Sequence, residues 1–378
     1  MKKVISVFFV TLASASTAFS QSSSSQDVTG NSAKLYGVVD VGVANYFKSN
    51  GNVIGAMHAI GSGSRIGFLS TEDIGQGTFV RARLEEGINL QDGSSSSTQG
   101  LANRVFGRQA YVEIGNRHLG SIQMGRLQGP SYNFFSPRTD SILSPAMDAW
   151  GVLTTQGSGL PGIGGQAGFM INPTMRTSST ISYITPAAGG VQGQVAYSFR
   201  GSSQTQPNYS EATLTYTGGH LQANALLVHA SSTPAGGTGG AATRPVTEWA
   251  LGGNYDFGFA ALFLTYEHRN VTDPTLNATG SALTPNASSV KIIGLAIPVS
   301  ERGSIRLDYG RLSNGVANSN ATNYGIAYMY TVNKHMFFMA AATRLTQGSN
   351  SNMPIFVSGT PGAGRPITAT ILGLDYMF

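Results

Sequence analysis

The chain has 378 residues, of which only 11% are charged, against about 25% in ordinary soluble domains. Glycine occurs 49 times, close to twice its usual share of about 7%, and the formal net charge is +5. A soluble protein with so few charges would be poorly soluble, and no run of Lys or Arg indicates a nucleic-acid partner. The sequence has no Cys, which excludes disulfides and thiol chemistry.

The first segment has the layout of a secretory signal peptide. Two lysines near the start are followed by an apolar run and then by small residues. The apolar run is shorter than the roughly 20 residues that a membrane-spanning helix needs. We expect residues 1–20 to be a signal peptide, cleaved after Ala18 or Ser20, and residues 21–378 to be exported as a single domain.

From residue 33 onward, short alternating runs are separated by turn residues. In the run 78–86, Arg81, Arg83 and Glu85 alternate with apolar residues, so one face of the strand is charged and the other apolar. This pattern suits either a soluble sandwich or a barrel with lipid outside and a wet lumen inside. The signal peptide and the low charge favour the barrel.

Sixteen runs of this kind are predicted to be strands. They lie at residues 33–48, 57–71, 78–91, 105–115, 120–126, 175–185, 191–200, 209–218, 219–231, 245–256, 259–272, 289–298, 302–313, 321–332, 335–346 and 366–378. An even number in this range is typical of a bacterial barrel with an aqueous channel. The connections alternate between tight turns and long polar loops, the first of which is predicted at 51–56.

The connection over 127–174 differs from the others. It shows no clear strand pattern, yet it is rich in large apolar side chains such as Phe134, Phe135 and Trp150. Long segments without regular structure tend to be functional, and one this apolar is expected to pack against something. Inside the barrel it would narrow the pore; the alternatives are a flap on the outer rim and a contact with a neighbouring subunit.

The last predicted strand ends on aromatic residues. Tyr376 and Phe378 share one face, and Asp375 lies on the other. Terminal residues are usually frayed and polar, whereas an aromatic end suits the girdle at a membrane interface. We expect Tyr376 and Phe378 to face lipid, and Asp375 to face the lumen beside the first strand.

Five segments carry a resemblance to a known family. They are LYGVVDVGV (35–43), GSRIGFLSTEDIGQGTFVRARLEEGIN (63–89), VFGRQAYVEIGNRHLGSIQMGRLQGP (105–130), MRTSSTISYITP (175–186) and LGLDYMF (372–378). They resemble the general porins of Gram-negative outer membranes, especially those of β-proteobacteria. The resemblance implies an all-β transmembrane antiparallel barrel of sixteen strands, an inward-folded third loop, a homotrimer and passive diffusion of small hydrophilic solutes. It also implies that the terminal aromatic residues are read by the barrel-assembly machinery.

The resemblance further implies a constriction, in which wall arginines face acidic groups on the third loop. By motif position the arginines are Arg65, Arg108 and Arg176, and the acids available on the loop are Asp140 and Asp148. Other residues expected to line the pore are Asp40, Arg81, Arg83 and Arg126.

Strand phase raises a question about Arg108. Gln109, Tyr111 and Glu113 share the phase expected for the lumen, which places Arg108 on the opposite face unless the strand twists or bulges.

An excess of arginine over carboxylate would favour anions, because rings of charge select ions and arginine stays protonated. The alternative is that each arginine only pairs with a neighbouring carboxylate and satisfies the hydrogen bonds of the lumen.

The predicted function is therefore that of an outer membrane porin with modest anion preference, without enzymatic activity, cofactor or metal. A substrate-specific channel on the same fold would need an aromatic or basic ladder, and an outer membrane enzyme would need a His beside a Ser or Asp at the barrel mouth. The six His show no metal spacing, and the GxGxxG match at 157–162 lacks the strand and helix that a nucleotide site requires.

Overall fold

The computed structural model describes residues 30–58, 60–95, 105–135, 139–144, 146–155, 176–200, 208–231, 245–271, 287–314, 317–355 and 359–378. The predicted signal peptide lies outside these ranges. Within them, no helix has the length and apolar character that crossing a membrane requires.

Seventeen β-strand segments form one antiparallel sheet. They are β1 (Ser32–Lys48), β2 (Val53–His58), β3 (Arg65–Gly75), β4 (Thr78–Gly87), β5 (Gln109–Asn116), β6 (Gly120–Gln128), β7 (Arg176–Ile184), β8 (Val191–Ser198), β9 (Tyr209–Gly218), β10 (Leu221–Ala230), β11 (Val246–Asp256), β12 (Ala261–Val271), β13 (Ala287–Pro298), β14 (Gly303–Asn314), β15 (Ala321–Asn333), β16 (Met336–Gln347) and β17 (Ile367–Met377).

The sheet closes into a barrel. From β3 onward each strand pairs with the next, and β17 pairs with β1 over eleven residue pairs. The segments β2 and β3 pair with the two ends of the same edge of β1, so together they make one wall strand. The wall therefore has sixteen strands, which confirms the predicted fold class.

Along the wall, side chains alternate between the two faces of the sheet, as strand geometry requires. In β4 the charged residues predicted for one face, Arg81, Arg83 and Glu85, are buried on the inside. In β5 the apolar residues Val112 and Ile114 are exposed on the outside. An outer apolar face and an inner polar face are the arrangement that a barrel in a lipid bilayer needs.

The second wall strand is interrupted, which the sequence did not predict. The first long loop was predicted at 51–56, but β2 already begins at Val53, so that prediction was wrong. The strand predicted at 57–71 leaves the ladder between β2 and β3.

The carboxylate of Asp40 explains this break. It accepts hydrogen bonds from the four backbone N–H groups of residues 60–63, at 2.7 to 2.9 Å. The N–H groups of residues 60–63 therefore donate to the Asp40 side chain and not to the backbone carbonyls of β1. As a result, the chain leaves the strand ladder and bulges into the lumen. Backbone donors bonded to an ionised group are held more strongly than in a neutral ladder.

The barrel closes at its last residue. The backbone N–H of Gly37 donates to the Phe378 carbonyl at 3.0 Å, and the Phe378 N–H donates back to the Gly37 carbonyl at 3.1 Å. A Cβ on Gly37 would lie 2.3 Å from the Phe378 ring, so only glycine lets the ring lie on β1. Tyr376 and Phe378 are exposed on the outer face and Asp375 is buried inside, as the alternating pattern predicts.

The third loop folds into the barrel. Its described part contains the helix α1 (Pro130–Phe135) and a π-helical turn at Gly151–Thr155. Phe134, Met147 and Leu153 are fully buried in one hydrophobic cluster with the inner face of β10–β17. The prediction that the segment 127–174 folds inward is confirmed for its described residues, which pack on the inner face of β10–β17 and, through α1, also contact β6, β8 and β9.

Candidate pore constriction

Two wall arginines converge on one carboxylate, that of Glu85 in β4. Arg108 Nε donates to Glu85 Oε1 at 2.8 Å. Arg65 Nε lies 3.6 Å from Glu85 Oε2, an ion pair too long for a hydrogen bond. Tyr36 Oη donates to the same Oε2 at 2.9 Å. Glu85 thus fixes the positions of two of the three arginines that the sequence assigned to the constriction.

The bulge before β3 holds Arg65. Its Nη1 donates to the carbonyls of Ser62 at 2.5 Å and Gly63 at 3.0 Å. The bulge is itself held by Asp40, so this predicted pore residue acts on Arg65 through the backbone. Asp375 of β17 is the cross-strand partner of Asp40 and is also buried on the inside of the barrel.

Arg108 reaches the lumen because it precedes the strand. Alternation begins at Gln109, the first residue of β5, and Tyr111 and Glu113 are buried on the inner face as expected. Arg108 lies in the preceding turn, where Phe106 has a φ of 63°. The turn lets the Arg108 side chain point inward to Glu85, although its number falls in the other phase.

Arg176, the third arginine of the motif set, lies at the start of β7 and contacts the third loop. Its Cζ is 5.5 Å from the centroid of the Tyr132 ring in α1, within cation–π range. Burial raises the pKa of the Tyr132 phenol, but the positive charges of Arg176, Arg65 and Arg108 outweigh it and lower this pKa below its usual value. Among the described residues of the loop, Tyr132 is therefore the side chain that the structure brings to the arginine cluster.

Helix α1 is anchored on both sides of Tyr132. The backbone N–H and Oγ of Ser131 donate to Glu211 Oε2 of β9, at 3.1 and 2.7 Å. Asn133 Nδ2 donates to Gln194 Oε1 of β8 at 2.5 Å. With its two neighbours bonded to the wall, Tyr132 has little freedom to leave the arginines.

Of the other predicted pore arginines, Arg81 and Arg83 line the same wall, whereas Arg126 pairs with Ala110 in the phase of the outward residues Val112 and Met124. Arg81 Nη1 pairs with Glu113 Oε2 at 3.2 Å, and Arg83 Cζ lies 5.8 Å from the Tyr36 ring centroid. Arg126 donates to the Gly107 carbonyl at 2.6 Å and to Ser178 Oγ at 2.9 Å, which ties the turn before β5 to β7.

The loop acids Asp140 and Asp148 lie where the loop docks on the wall. The backbone N–H groups of Ile142 and Trp150 donate to Asp140, at 3.0 and 3.3 Å. Gly151 N–H donates to Asp148 at 2.6 Å. Within the described part of the chain, no ion pair joins either acid to Arg65, Arg108 or Arg176.

Both loop acids hold their protons more tightly than a free Asp. Burial raises the pKa of Asp140 to about 6, although the N–H groups of Ile142 and Trp150 act in the opposite direction. Burial, together with the charge of Asp140, raises the pKa of Asp148 well above its usual range.

The loop docks on wall acids that the sequence did not single out. Trp150 Nε1 donates to Glu267 Oε2 of β12 at 3.2 Å, and Ala149 N–H donates to Asp308 Oδ2 of β14 at 2.6 Å. Arg306 Nη1 donates to the Ser141 carbonyl at 2.6 Å. The loop thus donates hydrogen bonds from its own N–H groups to buried wall carboxylates.

The site contains two functional residues that sequence reasoning missed, Glu85 and Tyr132. The alternation of β4 already placed Glu85 on the inner face with Arg81 and Arg83, so its lumenal position was available from the pattern. Nothing in the pattern of the loop distinguished Tyr132 from its aromatic neighbours.

The arrangement suits the passage of charged solutes more than the binding of a cofactor. Five arginines and two glutamates, Arg65, Arg81, Arg83, Arg108, Arg176, Glu85 and Glu113, line this wall, so arginine outnumbers glutamate by three. Two further carboxylates, those of Asp40 and Asp375, lie on the adjoining inner face. Among the described residues, no group of three or more His, Cys, Asp or Glu has the arrangement to hold a metal ion.

Comparison with known proteins decides the family. The model of the Gram-negative porin family matches residues 8–350 of the chain. The chain belongs to the Gram-negative porin family. This porin is accordingly an outer membrane protein, with the outer face of its barrel in lipid.

Individual relatives agree with this assignment. The porin is 28% identical over 267 residues to an outer membrane porin of Bordetella pertussis, a match that spans 62% of the chain and 63% of that protein. It is 25% identical over 366 residues to outer membrane porin protein 32 of Delftia acidovorans, over 92% and 94% of the two chains. Its fold matches the anion-selective porin from Comamonas acidovorans with a TM-score of 0.72 at 22% identity, over 92% and 100% of the chains.

Proposed function

We propose that this porin is a general diffusion channel for small hydrophilic solutes and that it prefers anions. The observation that carries the proposal is the excess of arginine over glutamate on the wall around Glu85. A concentrated positive potential in a narrow aqueous gap lowers the energy of a passing anion and raises that of a cation.

The arginines have separate roles in this proposal. Arg65, Arg108 and Arg176 set the positive potential at the constriction. Glu85 compensates one of their three charges, so two positive charges remain. Arg81 and Arg83 extend the positive wall, Arg126 ties the turn before β5 to β7, and Asp40 holds the bulge that positions Arg65. The opposing loop group, Tyr132, adds no negative charge when its phenol is protonated.

Asp140 and Asp148 contribute to the constriction indirectly. They lie at the loop's attachment to β14 and fix the distance between the loop and the arginine wall. In this respect the proposal departs from a pore in which loop carboxylates face the arginines. The selectivity of the Comamonas acidovorans porin, described as anion-selective, supports the same sign of preference here.

The proposal includes a homotrimer, assembled in the outer membrane by the barrel-assembly machinery, and no enzymatic role. The family resemblance supports both partners, and the aromatic end at Phe378 is the segment through which the assembly machinery would act. The trimer is tested by native mass spectrometry of the unheated protein, where a monomer would contradict it.

A liposome swelling assay tests the function. The expected order of rates is a sugar acid anion first, an uncharged sugar of the same size next, and an amino sugar cation last, because only the charge differs between them. Equal exclusion of all three would contradict a general diffusion channel, and a faster amino sugar would contradict the anion preference.

A further inference from the structure

Three basic side chains stand on the outer face of the barrel, near the loop end of the strands. They are Lys291 in β13, Arg311 in β14 and Arg344 in β16, and all three are exposed. A sequence neighbour of each is fully buried on the inner side, so alternation directs the three cations away from the lumen. We call them the outer basic patch.

The patch brings like charges together. Lys291 and Arg311 are direct cross-strand partners in the register of β13 and β14, and like charges in that position destabilise a sheet pair. On the outward faces of β11–β17 the described residues include no Asp or Glu. No ion pair of the described chain involves the patch. The protein itself therefore supplies no counter-charge in the part that the structure describes.

Aromatic rings mark the level of the patch in the membrane. Lys291 Nζ lies 5.9 Å from the ring centroid of Tyr266. The rings of Tyr309 and Tyr324 are 5.4 Å apart, and Tyr324 is the cross-strand partner of Arg344. Tyr rings collect where hydrocarbon meets the polar head groups. The patch therefore lies at the depth of the head groups rather than in the hydrocarbon.

The geometry also suits a ligand with several anionic oxygens. Arg344 Nη1 donates to Thr368 Oγ1 at 3.0 Å, which fixes the guanidinium and leaves its remaining N–H groups for an outside partner. Two strand spacings, roughly 10 Å, separate β14 from β16. Guanidinium groups bind phosphate in a bidentate manner, whereas Lys acts as a point charge beside them.

We propose that the outer basic patch binds the phosphate-bearing head group of an anionic lipid in the outer leaflet. Long loops of outer membrane barrels lie on the cell exterior, so the loop ends of β13, β14 and β16 are at the outer interface. The phosphates supply the missing counter-charge, and the neighbouring Tyr rings contact the start of the acyl chains. This site is outside the channel and does not depend on the proposed selectivity.

The test uses the full folded protein in detergent and a bis-phosphorylated acyl disaccharide as the probe lipid, with its dephosphorylated form for comparison. Native mass spectrometry counts the lipids bound to wild type and to the variant Lys291→Gln/Arg311→Gln/Arg344→Gln. The matched control is Lys34→Gln/Arg302→Gln/Lys334→Gln, which removes three exposed cations outside the patch.

Wild type and the control should retain the phosphorylated lipid, and the patch variant should bind it about tenfold more weakly, since three charge-assisted contacts are lost. The dephosphorylated lipid should bind weakly to all three proteins. Equal binding by the patch variant and wild type would overturn the proposal. So would a change in the variant's oligomeric state, which would make the patch a subunit contact. An unchanged swelling profile in the variant would confirm that the channel is intact.

Discussion

The Glu85 carboxylate accepts hydrogen bonds from Arg108 and Tyr36 and forms an ion pair with Arg65. The potential at the constriction therefore depends on how the arginines are positioned as well as on how many there are. Arg176 is held differently, by the ring of Tyr132. Such a contact is worth roughly 0.5 to 2 kcal/mol, depending on how far it is shielded from water. At the scale of single residues, Tyr132 is therefore the loop residue with the largest expected effect on selectivity.

Replacing Tyr132 separates the effect of its ring from that of its hydroxyl. Tyr132→Phe keeps the cation–π contact and should leave the anion-to-cation permeability ratio unchanged. Tyr132→Leu removes the ring, frees Arg176 and should lower the ratio by roughly two- to fivefold, the equivalent of about 0.5 to 1 kcal/mol. The ratio is measured from zero-current potentials in planar bilayers.

A matched control is Tyr266→Leu, which removes a ring beside Lys291 on the outer face. It should leave the ratio as in wild type. A Tyr132→Leu channel with wild-type selectivity would show that the loop ring does not position Arg176.

At the scale of elements, the third loop docks through carboxylates that favour the protonated state. The pKa of Asp140 is raised by burial to about 6, compared with about 3.9 for a free Asp. A raised pKa stabilises the docked loop fully below the free value, and this stabilisation is lost as the pH rises through about 6.

Trp150 reports on the docking, because it is buried beside Phe135 with ring centroids 4.0 Å apart. In a Trp249→Phe background, iodide should quench Trp150 fluorescence more strongly at pH 7 than at pH 5. Asp140→Asn should reduce this difference, since an amide does not ionise. Quenching that is independent of pH in the parent protein would contradict the account of the loop.

Sequence was sufficient for most of the strands but not for the contacts between them. Alternation in β4 and the aromatic end of β17 are local patterns, and they predicted which side chains face lipid. The bulge before β3 depends on Asp40, 20 residues from Ile60. The loop docks through Trp150 and Glu267, which are 117 residues apart. Contacts at such separations leave no periodic signal in one sequence, so both were missed.

The predicted constriction shows the same division. Motif position assigned Arg65, Arg108 and Arg176 to one wall, although Arg108 precedes β5 and the phase of that strand alone would point it outward. Asp140 and Asp148 were chosen only because they are the acids of the loop. Where each points is decided by packing against β14, through Ala149 and Asp308, and no local pattern encodes that packing.

At the scale of the whole molecule, the barrel depends on a closure made by its last residue. Deleting Phe378 removes two backbone hydrogen bonds to Gly37 and the ring that covers it. We expect the amount of folded barrel in the outer membrane to fall severalfold, while channels that do assemble keep wild-type conductance. Heat-modifiable mobility in SDS gels measures the first and planar bilayers the second.

The control for the closure is Tyr330→Ala, which removes an exposed aromatic residue from β15 and leaves the junction of β1 and β17 intact. It should assemble better than the Phe378 deletion. Normal surface levels of the deletion variant would contradict a role of Phe378 in closure and assembly.

The lumen as a whole is divided between a charged wall and a loop-filled side. Arginines line the wall from β3 to β7, and the third loop packs on the inner face of β10–β17. In the proposed channel, solutes pass next to the arginines, and a small cluster can therefore determine the selectivity of a wide barrel.

The most direct test of this claim is the zero-current potential across a planar bilayer that separates unequal KCl solutions. Wild type should give the sign of a chloride-preferring channel. The Arg65→Gln/Arg108→Gln/Arg176→Gln variant should shift the potential towards potassium, and Lys34→Gln/Arg302→Gln/Lys334→Gln should not. A potassium-preferring wild type, or an unchanged potential in the arginine variant, would contradict the account.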